Sequence, residues 1–513
     1  MFGKNNGQID VFTNMIYEKL IPRDHLLVKI DSIIDFSFVY ELVKDTYSDA
    51  GRKSCDAVVL FKLCLLEFIY NTSDVQIVKK AQTDVVFRWF LGLNLDDVIP
   101  DDTTICYFRK HRLGSCGLEL IFNNIVEKCI EYNLVKKRRY MIDSTDVAAN
   151  VNYPSMRKLI CDSFRKVTRE ISKFNEKLAK KELDEFEKEI DFEYEKSDKV
   201  SVVRYSEIAK KHAEYIYLET YDELQSNVRY RETFSVFWDI VEQYLNSNSN
   251  DRIISCVDPD ARVAHKSPGN KKRGYKDHII VDEDSEIIIA STQTPFNVND
   301  GKELQNLVEK TKENFNIKPQ EISADKAYGA VINRGYLIDE KIMTNIQFDE
   351  ESDKENKYFG IDDFKISEDL KCATCPNNIQ TNNCKLTYSK QRDLNEIVFY
   401  FKKATCDKCK FRSECFSTNI KAGKSVKIPE RYDAIVRDKE YNKTPGFVEA
   451  INKRYKIERR FATMVRNHGL RRSRYLRIEG AKIHITLANI ACNIVRMVNL
   501  LCNQPSFAMR KIS

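Results

Sequence analysis

Two short apolar stretches, each closed by an aspartate, constrain this chain more than anything else in it. In "RRYMIDSTDVAAN" Tyr140, Met141 and Ile142 run into Asp143, and "PQEISADKAYGA" brings a second short run to Asp325, with Gly329 opening the turn. Runs this short and apolar predict buried strands, each expected to end at its acid. Between them, "YKDHIIVDEDSEIIIASTQTP" predicts a β-hairpin. Its arms, His278–Val281 and Ile287–Ala290, flank the polar turn "DEDSE". "DGKELQNLVEKTKENF" then predicts a helix. Strands alternating with helices point to a mixed α/β fold.

Around this alternation the chain changes character several times. Its 513 residues are too many for one simple core. Residues 1–115 read as helical: "DAVVLFKLCLLEFIYN" is strongly apolar, Ser73 opens "SDVQIVKKAQTDVVFRWFLGL", and "PDDTTICYFRKHR" offers Asp and Thr caps before a basic end. Short helices ending in a basic one suit a DNA-binding domain, and suit any small bundle equally. Trp89 and Phe90 read as core rather than as base-stacking residues. Residues 116–155 start the α/β core and 251–350 continue it. Between them, residues 156–250 form a charged helical insertion of mixed-sign pairs, for which a helical hairpin is expected. Residues 351–425 are a Cys-rich insertion, and 426–513 the C-terminal helices.

The chain carries 15 Cys, and its N-terminus, "MFGKNNGQIDVF", lacks a signal-peptide pattern, so a reducing cytosol is expected. There, clustered cysteines bind metal more often than they pair. Cys372/Cys375 and Cys406/Cys409 are C-x-x-C loops whose four thiolates could close a structural zinc site, with Cys384 and Cys415 as alternative ligands. No uncharged apolar run of membrane-spanning length occurs. "ITLANIACNIVRMVNLLC" reads as a buried amphipathic helix with Leu487, Ile490, Ala491, Ile494, Val498 and Leu501 on one face.

The net charge of +6 is modest, but its distribution is uneven. Ile451 to Gly480 holds ten Lys and Arg against Glu458 and Glu479 only. Such density suits a polyanion. In "RYKIERRFATMVRNHGLRRSRY", Ile457, Phe461, Met464 and Val465 fall on a core-facing helical stripe, and Glu458 projects beside it. A surface ion pair with Arg454, one turn earlier, is the bland account of that glutamate. Three carboxylates converging beside a basic groove, Asp143, Asp325 and Glu458, suggest a different one. Such acids can hold two Mg2+ ions ~3.5–4 Å apart, which suits in-line phosphoryl displacement.

With these motifs in order, the sequence resembles the DDE transposases of bacterial insertion sequences. More narrowly, it resembles the subgroup with a helical N-terminal domain and a cysteine-bearing insertion before the last acid. "MIDSTDVAAN" matches the first-Asp strand, "ISADKAYG" the second-Asp motif, and "RYKIERRFATMVRNHGLRRSRY" the last-acid helix. "DPDARVAHKSPGNKKRGYKDHIIVDEDSEIIIASTQTPFNVND" resembles the central strand block. The chain departs from the pattern at Ile451, where a Tyr is expected, and at Val465, where a Lys is; Tyr455 and Arg466 lie close by.

The resemblance implies a ribonuclease-H-like core with Asp143, Asp325 and Glu458 as catalytic metal ligands for two Mg2+ or Mn2+. It implies cleavage at the element's ends and transfer of the freed 3′-hydroxyls into target DNA. DNA contacts are expected from Arg454, Arg459, Arg466, Arg471 and Arg472, and from Lys272, Arg273 and Lys276. "GLRRSRYLR" would form a phosphate-binding loop. The partners implied are terminal inverted repeats, target DNA and a second copy of the chain on paired ends. No membrane is expected, and the setting is the bacterial cytoplasm, at the nucleoid. Asp146 is a weaker candidate acid, and His278 reads as a core or strand-edge histidine. The alternative is a nuclease-only or catalytically retired DNA-binding protein of the same fold.

Overall fold

The computed structural model describes residues 2–4, 8–196, 201–246, 251–267, 270–348, 358–390, 394–417 and 422–504. The chain opens with helices α1 (Val11–Leu20), α2 (Leu26–Ile33), α3 (Phe38–Val43), α4 (Ala57–Ile69), α5 (Asp74–Thr83), α6 (Val85–Leu91), α7 (Asp102–Tyr107) and α8 (Gly114–Glu131). α4 is buried over almost its whole length. Ser73 and Gln76 form a reciprocal capping box at the start of α5. The run that reads as one helix from Ser73 breaks at Asp84, whose carboxylate caps the first amides of α6.

Strand β1 (Arg139–Ala148) follows. It does not stop at Asp143, because antiparallel pairing with a later strand carries it on to Ala148. Next come α9 (Met156–Ile171), α10 (Glu176–Lys196), α11 (Val202–Glu219), α12 (Tyr221–Ser226) and α13 (Val228–Leu245). In place of the expected hairpin these helices pack into a bundle with its own core, including Phe164, Phe186 and Phe237. Burying several apolar stripes at once needs more partners than a hairpin supplies.

The sheet resumes with β2 (Arg262–Ser267), β3 (Asn270–Asp282) and β4 (Ile288–Pro295), followed by α14 (Glu303–Phe315), β5 (Glu321–Ala324), α15 (Val331–Asp339) and β6 (Met343–Ile346). The expected hairpin is β3–β4, and the expected helix is α14. Strand order is β2-β3-β1-β5-β6, with β4 also on β3. β3 runs antiparallel to β1, β2 and β4, whereas β1, β5 and β6 are mutually parallel. Gly274 lets β3 approach β1: at its φ of +133°, a Cβ would lie 2.4 Å from the Val147 carbonyl oxygen.

The cysteine-bearing segment builds two small sheets, β7 (Lys365–Ile366), β8 (Ala373–Thr374) and β9 (Gln380–Thr381), then β10 (Cys384–Ser389), β11 (Leu394–Tyr400) and β12 (Ser425–Pro429). The short helices α16 (Lys403–Asp407) and α17 (Arg412–Cys415) lie between β11 and β12. The chain closes with α18 (Tyr432–Tyr441), α19 (Pro445–Asn452), α20 (Tyr455–Asn467) and α21 (Arg477–Cys502).

α21 is long and apolar enough to cross a membrane, yet 72% of its most apolar window is buried inside the protein. All six residues of its expected apolar face are buried. So are Asn489 and Asn493, because α21 packs on α4 and α8 on one side and on β3 and β4 on the other. Asn493 bridges the Ile288 backbone with both its amide groups. The N-terminal helices, the sheet, α20 and α21 thereby share one hydrophobic core.

Candidate active site

β1 and β5 pair in parallel from Arg139↔Glu321 to Ile142↔Ala324. The next residues are Asp143 and Asp325, so the register puts the two acids side by side where the parallel pair parts. Asp325 turns its carboxylate onto the Lys326 amide at 2.7 Å, and Asp143 takes the Ser144 amide at 2.8 Å. Burial pushes the Asp143 carboxyl up to about 6, against the Ser144 amide and the Arg454 charge. The negative charges of Asp325 and Asp300 add to the rise.

Arg454 immediately precedes α20, and its guanidinium spans the pair: Nη2 lies 3.3 Å from Asp143 Oδ2, and Nη1 3.8 Å from Asp325 Oδ1. Glu458 follows one helical turn later on the same face, ~6 Å along the axis. It is exposed and has no ion pair among the described residues. The bland pairing of Glu458 with Arg454 is therefore replaced by a bridge between Arg454 and the two aspartates. Ile457, Phe461 and Met464 are buried, and Val465 packs partly against the core, as the helical stripe requires.

Behind Asp143 lies a polar network with no signal in the sequence. Ser144 Oγ donates to Asp300 at 3.0 Å, and Lys276 Nζ reaches the same carboxylate and the Val298 carbonyl. Asp300 sits in the "NVND" loop, and only tertiary folding brings it here. His278 is fully buried, 2.8 Å from Thr294 Oγ1, and burial lowers its pKa to about 4.

The expected DNA contacts divide. Arg466, Arg471 and Arg472 are exposed and carry no ion pair among the described residues. The loop bearing the last two is tied to the end of β1, with the Ala148 amide donating to the Arg471 carbonyl at 3.0 Å and the Ser473 amide to the Ala148 carbonyl at 2.8 Å. Arg474 of the same run points inward, donating to the Thr72 carbonyl and covering the Phe68 ring. Lys276 is buried against Asp300 and is not presented to a ligand. Arg459 is engaged by Glu286, Lys272 by Asp146 at 3.0 Å, and Arg273 lies over the Tyr153 ring. In "YFRKHR" the first arginine, Arg109, is buried between Glu67 and Asp74 and stacks on Tyr475.

The zinc expectation is not met in the form in which the cysteine spacing suggests it. Cys375, Cys406, Cys409 and Cys415 line one small cavity of about 30 Å³. Cys372 stands outside it, accepting a hydrogen bond from Gln380 Nε2 at 2.7 Å, and Cys384 is exposed on β10. Among the described residues, no three His, Cys, Asp or Glu side chains are gathered closely enough to hold a metal ion. The segment keeps instead an apolar core that includes Phe364, Phe399 and Ile428.

Asp143, Asp325 and Glu458 are likewise not gathered into a metal cluster among the described residues, and their fit to a metal lies in the chemistry of their donors. Asp143 and Asp325 already share one cation, the Arg454 guanidinium, and their oxygens are the hard donors that Mg2+ prefers. Glu458, one helical turn after Arg454, carries oxygen donors of the same kind.

Two family models match the chain, a transposase domain (DUF772) over residues 15–111 and a transposase DDE domain over residues 374–498. No curated protein and no solved structure matches it. The first match covers α1 to α7, and the second runs from the cysteine-bearing segment through Glu458 into α21. A DDE domain carries a ribonuclease-H-like core, acts on DNA and works with divalent metal ions such as Mg2+. The mixed sheet, with its antiparallel hairpin beside parallel strands, agrees with that core. Two matches at opposite ends of the chain, in the order that the motifs imply, support a DDE transposase of an insertion sequence.

Proposed function

We propose that this transposase cleaves the ends of its insertion sequence and transfers the freed 3′-hydroxyls into target DNA, with Asp143, Asp325 and Glu458 as its catalytic acids. The observation that carries this is the register of β1 and β5. It sets Asp143 beside Asp325, under the guanidinium one turn from Glu458. The three carboxylates would hold two divalent ions, which when bound stabilise the entering and leaving oxygens of an in-line phosphoryl displacement.

The remaining work falls to the chain itself. Ser144, Asp300 and Lys276 fix the β1 backbone around the first acid. Arg466, Arg471 and Arg472 offer exposed charge to the DNA backbone, positioning it without reading its sequence. Arg454, whose guanidinium spans the two aspartates, would be available to a DNA phosphate beside them. In this view the chain acts as a dimer on paired ends, in the cytoplasm at the nucleoid.

A strand-transfer assay tests this with the full chain, Mg2+ or Mn2+, and DNA carrying the ends that flank its gene. Joined products that vanish in Glu458→Gln are expected. Cleavage without joining would mean a nuclease, and metal-independent binding without cutting would mean a retired enzyme.

A further inference from the structure

The turn Asp282–Glu286 between β3 and β4 has a backbone that its sequence does not favour. Glu286 sits at φ +60°, a left-handed conformation that glycine adopts freely and other L-residues rarely adopt. The strain comes with a specific result. The Glu286 side chain, only 2% exposed, is met by three guanidiniums. Arg459 Nη2 donates to its Oε1. Arg460 Nη2 lies 3.3 Å from Oε2, and Arg496 Nη2 3.4 Å from Oε1. Arg496 also donates through Nε to the Ser285 carbonyl at 2.7 Å.

Neighbouring Glu283 repeats the pattern. Lys453 Nζ lies 3.3 Å from its carboxylate, and Lys456 Nζ donates to its carbonyl at 2.8 Å. Four of these five cations lie between Lys453 and Arg460, the segment that carries Arg454 and Glu458. The turn they grip closes β3, the strand paired to β1 along Asp143. The turn thus joins the helix bearing one acid to the sheet bearing the other two.

We propose that Glu286 is a positioning residue, clamping α20 to the sheet so that Glu458 and Arg454 stand over Asp143 and Asp325. This rests on Glu458 being the third acid. Supporting groups around metal ligands typically govern affinity by ~10–100-fold, because they fix where the ligands point.

Glycine is the informative substitution, since Glu286→Gly relieves the strained backbone while deleting the carboxylate. A turn that only reverses the chain would tolerate it. The measurement is Mn2+ binding to the full-length protein without DNA, followed by electron paramagnetic resonance. Glu286→Gly and Glu286→Gln are each expected to bind Mn2+ about tenfold more weakly than the parent, with unchanged far-ultraviolet circular dichroism. Parental affinity in folded Glu286→Gly overturns the proposal. If the Glu286 variants fail to fold, Arg459→Gln, altered at an exposed side chain, decides by the same criterion. Glu458→Gln is titrated alongside. Should it keep parental affinity, the third-acid assignment falls and the positioning role falls with it. Should it lose Mn2+ while Glu286→Gly does not, only the positioning role fails.

Discussion

Asp277, on β3, has no exposure, and the polar donors it meets are two amides, Gln293 Nε2 and Asn489 Nδ2, each 3.3 Å away. Burial pushes its pKa up to about 8. Between roughly pH 4 and pH 8 the folded protein holds a proton that the unfolded chain has released. The stability from this group is therefore full below about pH 4 and falls as pH rises through that window. Asp277→Asn should flatten the slope and stabilise the protein at pH 8 by about 1–3 kcal/mol, read from urea midpoints across pH. His484 works in the opposite direction. Its Nε2 donates to the Gly469 carbonyl, its Nδ1 accepts from the Arg474 amide, and burial lowers its pKa to about 3. Its contribution is present above about pH 6.5 and is lost as pH falls towards 3. Arg454 gives a third residue-scale test. Without its guanidinium, Asp143 and Asp325 face each other unscreened. Arg454→Gln is expected to lose ~1–2 kcal/mol of stability in EDTA and to regain it in millimolar Mn2+, as followed by thermal melts.

Among the elements, α20 and the loop after it separate grip from support. Arg471 and Arg472 point outward from a loop hydrogen-bonded to β1, whereas Arg474 turns in on Thr72 and Phe68. Arg471→Gln with Arg472→Gln should weaken DNA binding and lower the slope of log affinity against log salt by about 2, with little change in melting temperature. Binding across a salt series checks both. That division was not legible in the sequence, where the arginines of "GLRRSRY" look alike. Lys276 illustrates the same limit. It belongs to a basic run with Lys272 and Arg273, but only the distal part of β3 is open, and Lys276 lies where the loop carrying Asp300 covers the strand. Apolar periodicity did locate β5, the β3–β4 hairpin, α14 and the core stripe of α20. It could not say that β1 runs past Asp143, because its continuation depends on a partner strand far away in sequence.

At the level of the whole molecule, the three proposed acids stand out in the sequence only jointly. Each alone is an ordinary strand-end or helix-face carboxylate; their order and the resemblance singled them out, and the β1–β5 register supplied the adjacency of the two aspartates. The role of α21 was half legible. Its apolar face was plain, but the buried Asn489 and Asn493 on its other faces show that it is packed between two layers. A fragment of residues 1–131 should therefore be largely unfolded by circular dichroism and amide exchange, since α4 and α8 lose the helix they pack on.

The same packing has a consequence during synthesis. At ~5–20 residues per second, roughly 20–90 s separate the emergence of Phe68 from that of Leu501. For that interval the apolar flank of α4 has no α21 to cover it. The ribosome thus delivers the N-terminal helices well before the segment that shelters them, so the nascent chain should engage a holdase chaperone and release it only once α21 is made.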